Sequence, residues 1–114
     1  MGRARGDQQR TAQLGARPMS SGYIISDVTV TNPTQYEEYK KWSTLAMQMY
    51  GAEICVRGGQ VDVLEGDWAP TRIVVLKFPS VEAARQFNAS PEYGKGRLAR
   101  QGAAIMRMIV VEGV

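Results

Sequence analysis

RIVVLKFPSVEAARQFNASPEY, Arg72 to Tyr93, changes its hydrophobic period in mid-stretch and so decides the fold. Its first seven residues are almost continuously apolar, as in a strand buried at the centre of a sheet. From Ser80 the spacing changes: Val81, Ala84 and Phe87 recur every three or four residues, on one side of a helix. Ser80 has the right chemistry to cap that helix. Ser90 followed by Pro91 repeats the signal, because a proline costs no hydrogen bond in a first turn. A second short helix is therefore expected from there to about Arg100.

Upstream, Tyr23 to Val30 (YIISDVTV) is β-branched and aromatic and reads as a strand. Asn32 and Pro33 then open a helix that carries Tyr36, Tyr39, Ser43, Ala46 and Tyr50 on one stripe, and Gly51 closes it. Glu53 to Arg57 and Gln60 to Glu65 flank Gly58-Gly59, which predicts a two-residue hairpin. Gly66 to Pro70 reads as a loop. Downstream, Gly102 ends the last helix and Ala104 to Glu112 (AIMRMIVVE) forms a final strand. The order strand, helix, hairpin, strand, paired helices, strand is an α+β, ferredoxin-like βαββαβ unit. It has an antiparallel sheet, helices on one face and an extra strand pairing inside the hairpin.

Alternation along each strand divides the sheet into two faces. Ile24, Val28, Ile54, Val56, Val74, Leu76, Met106 and Met108 fall under the helices. The opposite face mixes Tyr23, Ile25, Ile73, Val75, Ile105 and Ile109 with Asp27, Glu53, Cys55, Arg57, Lys77 and Arg107. Such a face is too apolar to stay wet and too charged to form a dry core. A second copy of the chain packed against it resolves the apolar half of the problem. Its charged residues then either pair with one another or line a ligand cavity.

The 114 residues carry a net charge of +3 and an isoelectric point near 9.2. The excess lies in residues 1–21, where four arginines face one aspartate, while residues 22–114 balance at ten basic and ten acidic side chains. Residues 1–21 read as a flexible basic leader, either a cloning leader or an over-called start ahead of Met19, and residues 22–114 as the domain. A nucleic-acid partner is not expected from a balanced domain. Lys95, Arg97 and Arg100 read as a solvated helix face. No apolar run approaches the ~20 residues of a membrane-spanning helix, and no secretory signal is present. The expected setting is cytoplasmic.

CVRGGQVDVLEG (Cys55 to Gly66), VVLKFPSVEAARQF (Val74 to Phe87), SPEY (Ser90 to Tyr93) and VEGV (Val111 to Val114) resemble the bacterial family of domain of unknown function 1330. The resemblance runs from Gly22 to Val114. It implies a dimeric α/β barrel in which two ferredoxin-like subunits pack sheet against sheet. The wider superfamily includes haem-degrading and cofactor-free monooxygenases and muconolactone isomerase-like proteins, and the family itself brings no established reaction.

With no histidine, a Ser-His-Asp or Cys-His apparatus is impossible, and haem and metal lose their commonest ligand. No cofactor and no metal are expected. Cys55 reads as a small buried hydrophobe rather than a nucleophile. Glu92 reads as a helix-start acid that suits the dipole. What remains is a carboxylate–arginine–tyrosine set of candidate ligand-binding residues: Asp27, Arg57, Glu65, Tyr93 and Arg107. Arg57 or Arg107 could hold an anion bidentately. Asp27 or Glu65 could act as a base if burial raised its pKa. A tyrosine could supply a hydroxyl. Two readings follow: a homodimeric small-molecule-binding or stress-response module without catalysis, or a cofactor-independent oxygenase or isomerase acting on a small anionic or aromatic compound.

Overall fold

The computed structural model describes residues 20–114; the expected leader, 1–21, lies almost wholly outside them. Strand β1 (Gly22–Val30) leads into helix α1 (Pro33–Met49), followed by β2 (Glu53–Arg57) and β3 (Ile73–Phe78). Two short helices, α2 (Val81–Ala89) and α3 (Pro91–Ala99), precede β4 (Ala104–Glu112). All pairings are antiparallel and the sheet order is β2-β3-β1-β4. This is the ferredoxin-like order, with the first and third strands at the centre.

The caps are those the sequence announces. Asn32 accepts from the Gln35 N–H at 3.1 Å, and Ser80 accepts from the Ala83 N–H at 3.0 Å. Ser90 carries two loads at the α2–α3 junction. Its hydroxyl accepts from the Tyr93 N–H at 3.1 Å and donates to the Phe87 carbonyl at 2.7 Å, while buried. The start of α1 is tied to the end of α3 by Gln35, whose Nε2 donates to the carbonyls of Ala99 and Gln101 at 3.0 and 2.7 Å. The core forms between the helices and one sheet face. It gathers Ile24, Val28, Leu76 and Phe78 from the strands with Tyr36, Tyr39, Ala84, Phe87 and Tyr93 from the helices. Phe87 links the Phe78 and Tyr93 rings, with centroids 5.0 and 4.7 Å away.

Two expectations about the hairpin need correction. Gln60–Glu65 is not a strand: Gly58, at φ 67°, turns its N–H onto the Ile73 carbonyl at 2.8 Å, and the chain then runs through exposed residues until β3. Among the described residues, 60–65 pair with no strand, although β2 stands at the sheet edge with one side free. The second correction concerns the faces. A β-bulge lies between Ile54 and Val56, so Ile54 opposes Leu76 but Val56 opposes Val75. One extra residue reverses every later side chain. Val56 therefore shares the outer face with Val75, and Arg57, opposite Val74, turns to the helix side.

The double duty of Ser90 sets a graded test. Ser90→Ala should lose about 1–2 kcal/mol, lowering Tm by roughly 5–10 °C, and Ser80→Ala less. Thermal unfolding followed by circular dichroism measures both.

Candidate functional site

A cavity of about 280 Å³ lies between α1 and the inner face of the sheet. It falls at the small end of the range for ligand pockets, ~300–1,000 Å³, a size suited to one ring and its substituents. Ile54, Val74, Leu76, Met47, Met106 and Met108 supply an apolar lining, and Ser26, Ser43 and Thr44 add hydroxyls. Lys40, Arg57 and Arg72 bring three cations, and no described lining residue is a carboxylate. Lys40 is already paired with Glu37 at 2.7 Å, one turn away on α1. The arginines come from the two strand ends beside the bulge. The Arg72 side chain lies against Gly58, where an added Cβ would stand 2.6 Å from its Nε.

Three tyrosines complete the cavity wall. The Tyr39 and Tyr93 hydroxyls are 2.8 Å apart, and the Tyr36 and Tyr39 ring centroids 4.9 Å apart. Arg100 donates to the Tyr93 oxygen at 3.3 Å, with its guanidinium 5.0 Å from the Tyr39 ring centroid. Burial pushes the Tyr39 hydroxyl far above the ordinary phenol range, and the Tyr93 hydroxyl adds to the rise. Burial also raises Tyr36, against the lowering pull of Arg72 and Arg100. Both phenols are therefore hydrogen-bond donors at neutral pH and poor bases.

The five expected site residues separate. Arg57 and Tyr93 line the cavity, Arg57 from the face opposite to the one alternation gave it. Asp27 and Arg107 face each other on the outer side of the sheet, away from the cavity, joined at 3.2 Å. Glu65 is exposed on the β2–β3 connection. Cys55 is exposed as well, contrary to its reading as a buried hydrophobe, because it sits at the bulge of an edge strand. Glu92 stands in the first turn of α3, where Ser90 provides the side-chain cap.

Asp27 holds the long connection to the sheet. Its carboxylate accepts from the Thr71 and Arg72 N–H groups at 3.0 and 3.4 Å and from the Trp68 indole at 3.3 Å. Desolvation pushes the carboxyl up, but these donors and Arg107 outweigh it, so its pKa lies below the ordinary value. That direction argues against a proton-accepting role at neutral pH. Two further lining residues, Arg72 and Ser26, were missed by the sequence reading. Arg72 is in phase with Val74 and Leu76, and Ser26 with Ile24 and Val28, so the helix-side position of both was readable.

The model of the domain of unknown function (DUF1330) family matches residues 21–114. Among curated proteins nothing matches this chain. A solved protein of unknown function from Rhodopseudomonas palustris is 19% identical, with a TM-score of 0.66 over 93% of this chain and 95% of its own. A hypothetical protein from Arabidopsis thaliana is 15% identical, with a TM-score of 0.58 over 89% and 93%. SnoaB, a cofactor-independent oxygenase from Streptomyces nogalater, is 12% identical, with a TM-score of 0.54 over 81% and 91%. At these identities the likeness shows the fold alone.

A depressed carboxyl pKa stabilises the folded state at neutral pH, and that contribution is lost as pH falls through the ordinary carboxyl value and then the folded one. Below about pH 4, the stability of the wild type should therefore fall more steeply than that of Asp27→Asn. Urea titrations across pH 2.5–7 (a range of about 5 units around the ordinary value) check the slope, and limited proteolysis at neutral pH should cut the variant faster between β2 and β3.

Proposed function

The chain belongs to the DUF1330 family, and we propose that it is a small-molecule-binding protein whose cavity takes a small amphipathic anion, an aromatic or branched carboxylate. The observation that carries this reading is the pairing of Arg57 and Arg72 with an apolar lining that holds no described carboxylate. Two guanidinium groups at one end of an apolar slot favour a ligand with a planar anionic head and an apolar body. Binding is favoured over turnover by the titratable groups on the cavity wall. Tyr36 and Tyr39, whose pKa values are raised, the two arginines and an ion-paired lysine are poorly suited to general-base catalysis at neutral pH. The likeness to an oxygenase bears on the fold and leaves this chemistry untouched.

We propose further that the working unit is a homodimer joined through the outer sheet face. Ile105, Ile109, Val111 and Val56 are all exposed there, Ile105 and Ile109 by 66% and 58%. The face also carries charges of both signs, Glu53 opposite Lys77 and Asp27 opposite Arg107, as a two-fold self-complementary surface requires. The unpaired connection adds Val61, Val63 and Leu64, the last 96% exposed. A second copy is the occupant that would bury both.

The binding reading is tested with 4-isopropylbenzoate by titration calorimetry. Arg57→Gln and Arg72→Gln should each weaken its affinity about tenfold, the scale of a lost charge-assisted hydrogen bond. Unchanged affinity in both variants would move the anion site elsewhere. The dimer is tested by native mass spectrometry at micromolar concentration. The wild type should run at twice the chain mass and Ile109→Glu as a folded monomer, and a monomeric wild type would sink the sheet-to-sheet arrangement.

A further inference from the structure

The basic residues of α3 read from the sequence as a solvated face, but Arg97 and Arg100 are held in place. Arg97 Nη2 donates to the Asn88 carbonyl and to its side-chain oxygen, both at 2.9 Å, with the guanidinium 5.1 Å from the Tyr93 ring centroid. Arg100 Nη1 donates to the Tyr93 hydroxyl oxygen at 3.3 Å, and its guanidinium lies 5.7 Å from the same centroid. Each guanidinium commits one terminal nitrogen to these bonds and keeps the other, with Nε, as donors. Like charges one helical turn apart repel, and neither arginine has a carboxylate within ion-pair distance among the described residues. The end of a helix suits positive charge. That accounts for two arginines on α3 but not for a third, Arg85, which α2 brings to the same groove.

The groove holds about 400 Å³ between α2, α3 and β4, and no described lining residue is a carboxylate. Its floor takes Met106, Met108 and Val110 from alternate positions of β4, a run of about 13 Å at the rise of a strand. Met106 and Met108 also line the first cavity and so stand between the two. Arg57 and Arg72 line only the first, and Arg85, Arg97 and Arg100 only the second. Unbranched methionines adapt well to a flexible chain. We propose that this groove is a second binding site, for a single-chain amphiphile with an anionic head. The head meets the uncommitted donors of Arg97 and Arg100, with Arg85 on the same groove, and the aliphatic chain lies along β4. The ligand class differs from the aromatic or branched acid of the first cavity, and the assignment does not depend on that reading.

Titration calorimetry of the full chain with octanoate, held below its aggregation concentration, tests the assignment. The wild type should bind it saturably, and should bind octanol about tenfold more weakly, the scale of a charge-assisted hydrogen bond. Arg97→Gln should weaken octanoate about tenfold while leaving the affinity for 4-isopropylbenzoate within about twofold. Val110→Phe, which fills the floor and keeps every arginine, should do the same, so the test survives if Arg97→Gln fails to fold. Arg57→Gln, which acts on the first cavity, should leave octanoate binding unchanged. Loss of octanoate binding in Arg57→Gln, with Arg97→Gln and Val110→Phe unaffected, would put the chain in the first cavity and overturn the second site. Equal affinity for octanoate and octanol would overturn the anionic head, and octanoate that never saturates would overturn the site itself. Neither result touches the arginine dependence of 4-isopropylbenzoate, so the two readings fail separately.

Discussion

The register between β2 and β3 is the constraint on which the rest of the site depends. Up to Ile54 the two strands pair in ordinary antiparallel fashion, and past the bulge the pairing resumes one residue out of step. Without that extra residue, Arg57 would lie on the outer face opposite Ile73, and the cavity would keep one fewer cation. With it, Arg57 joins Arg72 on the lining of the cavity, and Val56 takes the outer position instead. The cost falls on a sheet edge, where few ladder bonds are lost, and bulges are commonest there for that reason. Cys55, the residue out of step, faces solvent.

The same region sets up the second constraint. Gly58 ends the ladder by turning back onto Ile73, and Asp27 collects the returning chain through Thr71, Arg72 and Trp68. The connection is thus tied at both ends while its middle stays exposed. Loops of this length without secondary structure are uncommon inside a domain unless they act on something outside it. Val61 and Val63 retain a strand's alternation, and no strand among the described residues uses it. An aligned, apolar, unpaired segment is a liability for a lone chain. Beside an exposed sheet face it is better understood as half of a pairing.

Most of the fold was legible because its signals are local. The changes of period around Ser80 and Ser90, the cap-then-proline pairs and the positive-φ glycines at helix ends all act within a few residues, and the elements appear where these signals place them. The failures lie where distant residues decide. Gln60–Glu65 leaves the free edge of β2 unpaired, and a two-residue glycine signal cannot report that Gly58 instead turns its N–H onto Ile73. A bulge leaves no mark on composition, so the face of Arg57 was misread while that of Arg72, which has no bulge behind it, was available from alternation alone. Tyr93 lines the cavity, but its link to Tyr39 joins residues 54 positions apart and appears only when α1 and α3 pack.

Net charge offers a last illustration of why distribution outweighs sum. The chain's excess lies in residues 1–21, and the domain is neutral. Yet that neutral domain places Arg57 and Arg72 together at a cavity lined by no described carboxylate, while Asp27 and Arg107 pair on the far side of the sheet. A cation facing an apolar slot is poorly hydrated on one side, and an anion entering the slot relieves that deficit more than the same anion would at an exposed lysine. In the proposed site, the grouping of cations on the helix side of the sheet is therefore the physical basis for selecting an anion. The domain holds equal numbers of acids and bases, yet the outer face carries both signs while the cavity lining carries described cations and no described carboxylate.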